Sequence, residues 1–315
     1  MNSKIRGTLC GIVAAACYGT NPLGALPLYA DGIGTCSVLF YRFTLAAVLL
    51  AVVMAVQRKS LAVSRKELGC LAGLGILFSS SSLSLFYSFH FIGAGIACTL
   101  LFVYPVMVAV IMAVFFRERV TASTALAIVL AIAGIALLYK GGDGVSLNAT
   151  GVSLVMVSSL TYALYIIIVN KSQLRMSALK LTFYSLIFSS LTVAAMSLTD
   201  PANRLQLLHT PVQWSLVAML AVLPTVMSLM LMVVAVHDIG STPTAIMGAL
   251  EPVTAVILSV LLFGEVFTAR MVGGIVLILV AVTMIVAGKN IHFNSLTRVY
   301  SPVGKIIVKL WRWKS

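Results

Sequence analysis

Two stretches decide how this chain reads: AGIACTLLFVYPVMVAVIMAVFFRERVT (residues 94–121) and STPTAIMGALEPVTAVILSVLLFGEVFT (residues 241–268). In the first, Pro105 is followed by Val106, Phe116, Glu118 and Thr121; in the second, Pro252 is followed at the same offsets by Val253, Phe263, Glu265 and Thr268. Gly93 and Gly240 precede the two prolines by equal distances. Aliphatic identities carry little weight in apolar sequence. Pro, Glu and Thr are sparse in membrane spans, so their shared spacing marks an internal duplication. A duplicated unit with an odd number of spans places its copies in opposite orientations across a bilayer, as in many secondary transporters.

The composition agrees. Hydrophobic residues make up 61% of the 315, charged residues 9%, and the mean hydropathy is +1.10; in soluble domains roughly a quarter of residues are charged. Apolar runs of about 20 residues, rather than period-2 alternation, point to spanning helices and not to a barrel. The expected helices cover residues 7–28, 33–56, 67–89, 94–115, 122–140, 150–169, 178–198, 212–235, 242–263 and 270–288. The first run is too long for a signal peptide and lacks a cleavage pattern, so it reads as a retained helix.

The expected fold is therefore an all-α integral membrane protein of ten transmembrane helices in two inverted five-helix repeats. The first repeat spans residues 1–140 and the second 150–288, joined by a Gly-rich linker at 141–149 that contains Gly141-Gly142-Asp143-Gly144. Gly7 and Tyr18 in the first repeat match Gly151 and Tyr162 in the second at the same separation. With an even number of spans, 17 of the 21 Lys and Arg residues fall on the side of the amino terminus, which places both termini in the cytoplasm. Residues 289–315 form a basic tail. Its Lys305, Lys309 and Arg312 recur at helical spacing opposite Ile306, Leu310 and Trp313, the pattern of an amphipathic helix on an anionic inner leaflet. A disordered basic tail is the alternative.

A net charge of +13 is no nucleic-acid signal here, because the basic residues sit between spans and not on one soluble face. The five cysteines have no CxxC spacing, and the four histidines are scattered singly. No metal centre, cofactor or P-loop is expected.

Several stretches resemble the drug/metabolite transporter superfamily and, within it, the EamA-type ten-span transporters. They are Tyr18-Gly19-Thr20-Asn21-Pro22, Tyr41-Arg42-Phe43, and Phe86-Tyr87 followed by Gly93-Ala94-Gly95. Pro105 with Glu118-Arg119-Val120-Thr121, and Glu251-Pro252 with Gly264-Glu265, complete the set. The resemblance implies a helix bundle with a central substrate path, alternating access, and substrates such as amino acids, other small metabolites or toxic compounds. Tyr18, where the family often has Trp, and the long basic tail depart from the pattern.

Glu251 is the sharpest candidate site residue. About ten residues into its span, it lies roughly 15 Å deep, where a carboxyl costs about 2.5–3.5 kcal/mol and should face the bundle interior. Thr244, Gly248, Thr254 and Ala255 form a small, polar stripe beside it, against Ile246, Leu250, Val253 and Ile257 on the other face. Glu251 is expected to bind a substrate amine or take up a coupling proton, or else to be tied by structural hydrogen bonds. Arg42 lies at similar depth among apolar neighbours; it either holds a substrate carboxylate or fixes the bundle, and the missing polar stripe favours the second. Tyr104 precedes Pro105 where Glu251 precedes Pro252, so the halves share a hinge but not a charge.

Pro22, Pro105 and Pro252 are hinge candidates. Tyr162, Asn21, Ser84 and Tyr87 are candidates for the cavity wall, with Ser80, Ser84 and Tyr87 on one helical face; simple packing is the alternative for each. Glu118 and Glu265, near Arg119 and Arg270, are expected to cap helix ends or form gate salt bridges. Gly7 with Gly11, and Gly69 with Gly73, allow close helix contact.

These features favour a secondary active transporter of the bacterial cytoplasmic membrane with no enzymatic activity; export, and amino acids or related compounds as its substrates, are what the family resemblance implies. Its partners are a small-molecule substrate and the lipid bilayer, not nucleic acid; monomer and homodimer both stay open. Uptake or exchange of a sugar-phosphate or nucleotide-sugar is the alternative, against which Arg42 is the lone intramembrane cation. A lipid-modifying membrane enzyme would need clustered acids or a His–acid pair, and the eight acidic residues are dispersed.

Overall fold

A computed structural model describes residues 3–117, 121–139, 147–172, 176–199, 203–240, 244, 246–266 and 268–288. The basic tail, Glu118 and most of the Gly-rich linker lie outside the described residues. Among those described, every regular element is helical. Eight helices are long and apolar enough to cross a membrane, and Ala122–Leu138 and Leu250–Phe263 are shorter apolar ones.

In chain order the helices are α1 (Ser3–Tyr18), α2 (Asn21–Ala30), α3 (Thr35–Val56), α4 (Arg65–Ser88), α5 (Ala94–Leu101), α6 (Tyr104–Phe116) and α7 (Ala122–Tyr139). The second half holds α8 (Ala149–Lys171), α9 (Ala178–Ser197), α10 (Pro211–Ala221), α11 (Ser228–Ile239), α12 (Leu250–Phe263) and α13 (Ala269–Gly288). The first expected span is longer than its apolar run suggests and is broken into α1 and α2. The eighth runs from Pro211 to Ile239, with a π-helical turn at Val222–Met227 between α10 and α11.

Proline chemistry sets the breaks. A proline ring removes one N–H and clashes with the carbonyl four residues earlier. The helix stops at Tyr18, four before Pro22, and at Leu101, four before Pro105. Pro224 widens its helix into the π turn, and turn geometry at Gly248-Ala249 precedes Pro252. Each carbonyl so released finds a donor. Asn21 Nδ2 donates to Tyr18 O at 2.7 Å. Ser159 Oγ, from α8, donates to Leu101 O at 3.2 Å. Thr225 Oγ1 donates to Leu220 O at 2.9 Å, and Glu251 N to Gly248 O at 3.0 Å.

The main helix pairings all join the chain before residue 140 to the chain after residue 148: α1 with α11, α4 with α8 and with α9, α3 with α9, α5 with α12 and α7 with α13. Close approach at Gly7 puts α1 against Asp238 and Ile239, and close approach at Gly151 puts α8 against Phe91 and Ile92. Residues 91 and 238 each lie fourteen before a proline, Pro105 or Pro252. Gly11 packs closely on Met247, but Gly69 and Gly73 face open space, and it is Gly75 that admits Phe188. The expected Gly69–Gly73 contact is thus shifted to the next glycine along.

Two polar contacts tie the bundle ends. Arg6 Nε and Nη2 donate to the Asp238 carboxylate at 2.7 and 2.9 Å, joining the start of α1 to the end of α11. At the opposite end Glu265 Oε1 accepts from Ala94 N at 2.7 Å, capping α5 across the two halves. Glu265 does not pair with Arg270: the ion pairs among the described residues are those of Asp238 with Arg6 and His237. Burial pushes the Glu265 carboxyl above the usual carboxylate range, while the Ala94 and Gly95 N–H groups and the Ser259 hydroxyl pull the other way. On the same end Gln206 accepts from Gly34 N at 2.5 Å and donates to Gly32 O at 3.0 Å.

A Cβ on Gly93 would lie 2.5 Å from Glu265 Oε2. Gly93→Ala should therefore displace the cap and lower stability by about 0.5–2 kcal/mol, the usual worth of a helix N-cap. Glu265→Ala should do the same, and the double variant should be no worse than either single one. Thermal unfolding of the solubilised protein checks this; additive losses would mean that the two positions act separately.

Candidate functional site

The helix breaks converge on one cavity of about 370 Å³ between the two halves. This size suits a small metabolite, since ligand pockets run from about 300 Å³ upward. Its wall is assembled from the broken ends themselves: Tyr18 closing α1, Phe102, Tyr104 and Pro105 between α5 and α6, Pro224 and Thr225 in the π turn, and Gly248 and Glu251 around the start of α12. Non-helical backbone at membrane depth is tolerated where it lines such a hollow.

Of the residues singled out in the sequence, Glu251, Tyr104, Tyr162, Thr244, Gly248, Arg42 and Pro105 line this cavity. Thr244, Gly248 and Glu251 stand four and three residues apart, so they share a face. Thr244 Oγ1 is turned to its own backbone, donating to Gly240 O at 2.7 Å. The Glu251 carboxyl makes no hydrogen bond or ion pair among the described residues, which leaves the expected structural tie without a partner there. It lies within electrostatic reach of the Tyr18, Tyr104 and Tyr162 hydroxyls. Tyr104 meets Tyr162 edge-on with centroids 4.7 Å apart, and Tyr162 stacks on Tyr165 at 5.9 Å.

Arg42 is 3% exposed and sits across the cavity wall. Its Nε donates to Thr225 Oγ1 at 3.0 Å, and Thr225 in turn holds the carbonyl freed by Pro224. The guanidinium carbon lies 5.4 Å from the Phe86 ring centroid and 5.9 Å from that of Phe43, within range of cation–π attraction. Arg42 and Glu251 face one cavity without forming an ion pair.

Five other candidates fall elsewhere. Asn21 is buried off the cavity, its amide committed to Tyr18 O, and Pro22 and Pro252 act behind the wall by ending helices. Ser84 and Tyr87 lie off the lining face of α4; Tyr87 OH approaches Cys36 Sγ at 3.6 Å. The face that lines the cavity is Phe78, Ser81, Ser82 and Leu85, one step around the helix from the expected Ser80–Ser84–Tyr87 set. Ser81 is tied to Ser158 O at 3.0 Å, so α8 dictates which serines turn inward. Ser185 from α9 and Ser228 from α11 also line the wall. Ser228 Oγ donates to Ala14 O at 2.9 Å, whereas Ser185 Oγ, near Tyr165, is buried with no hydrogen-bond partner by geometry among the described residues.

At the opposite end from Arg6 and Asp238, Tyr29 stacks on His90 with centroids 4.4 Å apart, and Thr35 Oγ1 lies 3.2 Å from His90 Nε2. Burial pulls the His90 imidazole below its ordinary pKa.

An unpaired carboxyl in a hollow between two interlocked halves, ringed by broken helices, defines a multi-pass membrane protein built around a solute-sized chamber. The EamA-like transporter family model matches residues 5–140 and 149–287, and the chain belongs to that family. It is 24% identical over 279 residues to the uncharacterized transporter YcbK of Bacillus subtilis, covering 84% of this chain and 88% of that one. It is 30% identical over 126 residues to an uncharacterized transporter of Archaeoglobus fulgidus, a match spanning 39% of this chain and 43% of the relative. A solved crystal structure shares the fold with a TM-score of 0.65 at 14% identity, covering 92% of this chain and 99% of its own. The protein is a membrane transporter.

Gly19 lets α1 lie directly on the start of α12: a Cβ there would stand 2.6 Å from Glu251 O and 2.7 Å from Thr254 Cβ. Backbone cannot yield as a side chain can. Gly19→Ala should lower the unfolding midpoint and weaken transport together, with a loss of about 1–3 kcal/mol for overpacking. Thr225→Val, which strips the donor from Leu220 O and the acceptor from Arg42, should cost about 1–3 kcal/mol. Thr225→Ser should restore most of it in the same unfolding assay.

Proposed function

We propose that this protein is a secondary active transporter exporting amino acids or related small metabolites across a bacterial cytoplasmic membrane by alternating access. Ten spans in two inverted repeats, with both termini cytoplasmic, are the frame of this reading. The cross-half pairing supports it, because exchanging the first five spans for the second five maps the main helix contacts onto one another or onto themselves, with α4 on α9 answered by α3 on α10. The excess of Lys and Arg on one side supports the orientation.

In that orientation the lining residues Thr182, Val236 and Val286 lie toward the cytoplasmic end. The outer end is held by Glu265 on Ala94, by Gln206 on Gly32 and Gly34, and by Gln213 Nε2 on Asp31 Oδ2 at 3.4 Å. We read this as an inward-facing state, in which the Arg6–Asp238 pair still joins α1 to α11 at the cytoplasmic end. Rocking of the halves about the proline breaks would open the outer contacts and close the inner ones.

The observation that carries the proposal is the Glu251 carboxyl at the cavity, with no hydrogen bond or ion pair among the described residues. A bare carboxylate sealed in a dry chamber is costly. Occlusion is therefore favoured only when a proton or a substrate ammonium neutralises it, and competition between the two couples their fluxes. Glu251 is accordingly both the amine site and the proton site.

Counterflow of a labelled amino-acid mixture in proteoliposomes tests this. The wild-type protein should show saturable exchange that changes with an imposed pH gradient. Glu251→Gln, at equal incorporation, should lose at least about 90% of it, more than 1.4 kcal/mol of transport-barrier difference. Undiminished flux with an unaltered pH response would sink the role of Glu251, and a non-saturable leak would sink the carrier reading.

A further inference from the structure

Arg42 presents a second unsatisfied charge to the same cavity. Its one hydrogen bond among the described residues uses Nε, on Thr225. Neither Nη group has a hydrogen-bonding partner there, and neither is sealed from the cavity. A guanidinium retained only to brace the π turn would need the Nε contact and no more. An arginine 3% exposed, with its planar fork open to a chamber, is instead a receptor for a carboxylate or similar acid group.

Glu251, lining the same cavity, fixes the other end of the ligand. Glu251 lies among Tyr18, Tyr104 and Tyr162, whose rings and hydroxyls suit an ammonium group and the carbon next to it. Because Glu251 and Arg42 do not neutralise each other, each awaits the opposite charge. A ligand carrying both satisfies the pair at once, whereas an amine alone leaves the guanidinium bare and an acid alone leaves the carboxyl bare. Polyanions such as diphosphate esters fit poorly. Arg42 is the one Lys or Arg among the lining residues, and the Glu251 carboxyl there would repel a polyanion.

We infer that the site demands a zwitterion held at two points, with its acid group on the Nη atoms of Arg42 and its ammonium against Glu251 and the tyrosines. Arg42 is thereby a specificity-determining residue, and not simply the strut that its apolar helix neighbours suggest. Through Nε it also ties the bound acid group to Thr225 and hence to the π turn of the eighth expected span. Binding and the helix that must bend are linked by three consecutive groups: guanidinium, hydroxyl and the Leu220 carbonyl. This inference rests on the transport reading above.

The test compares three forms of each of two skeletons on the full-length solubilised protein: leucine, isoamylamine and 4-methylpentanoate, and phenylalanine, phenethylamine and 3-phenylpropanoate. Apparent affinities come from ligand-dependent shifts in the unfolding midpoint. In at least one series the zwitterion should bind about 10- to 100-fold more tightly than either single-charge analogue, the worth of one charge-assisted contact. Arg42→Gln should erase preference for the zwitterion over the amine, and Glu251→Gln preference over the acid. Where Arg42→Gln fails to fold, the wild-type comparison and Arg42→Lys decide; Lys should keep part of the preference as a point charge. Amines binding as tightly as their zwitterions, or no compound of either series binding, would overturn the inference. The same compounds are then run as counterflow competitors. Saturable exchange without zwitterion preference defeats the two-point site and spares the transporter reading; absence of saturable exchange for all of them defeats the transporter reading itself.

Discussion

A bilayer offers no water to a backbone carbonyl that loses its helical partner, so every break in a spanning helix must be answered inside the protein. This constraint organises the structure. Pro22, Pro105, Pro224 and Pro252 each release the carbonyl four residues earlier, and each release is met by a donor: Asn21, Ser159, Thr225 and the Glu251 backbone N–H. Two of these donors are local and cheap in sequence. The Ser159 contact reaches across halves, and Thr225 is itself held by Arg42 from α3. The breaks are thereby fixed in place by the same tertiary contacts that pack the halves together. The chamber is what remains between the broken ends.

Satisfying the carbonyls in this way leaves the side chains at the breaks available to solute. Tyr18, Tyr104 and Glu251 each stand at or one residue inside a helix end and face the hollow. Tyr104 and Glu251 occupy the same place relative to their prolines. In the alternating-access cycle proposed above, a duplicated frame with one carboxyl would present a single charge first to one side and then to the other. Two carboxyls facing each other across the axis would repel at close range, and a tyrosine removes that conflict while keeping a polar tip and a ring face.

The helices and three of the four breaks are legible because their causes are local: apolar run length, and proline acting four residues upstream. The π turn at Val222–Met227 is not, because Pro224 sits in a run that scans as one continuous span, and only its contact with Thr225 and Arg42 shows how the chain absorbs it. The face bearing Thr244, Gly248 and Glu251 follows from helical spacing. The inward face of α4 does not follow from its serines, since the run from Ser79 to Ser82 offers a polar group in every direction. The bond from Ser81 to Ser158 chooses among them, and that bond joins residues 77 apart. The spacing of Phe78, Ser81, Ser82 and Leu85 carries the helical face, but nothing local ranks it above Ser80, Ser84 and Tyr87. Tyr18 stands out in sequence as a departure from the usual Trp, yet its place at the cavity depends on Gly19 admitting α12.

The same distinction between local and distant causes bears on Arg42. Its immediate helix neighbours are apolar, which favours a bracing role when α3 is read alone. Its surroundings in the bundle come from the π turn and from Phe86 on α4, neither of which is near in sequence. A guanidinium can brace and bind together because its donors point along different edges: Nε engages the hydroxyl behind it while the Nη pair stays open in front. Lysine has no such division, since its single ammonium would have to choose between Thr225 and the chamber. One arginine at this depth therefore links the backbone break to the hollow, and whatever draws on its open edge also loads the turn behind it.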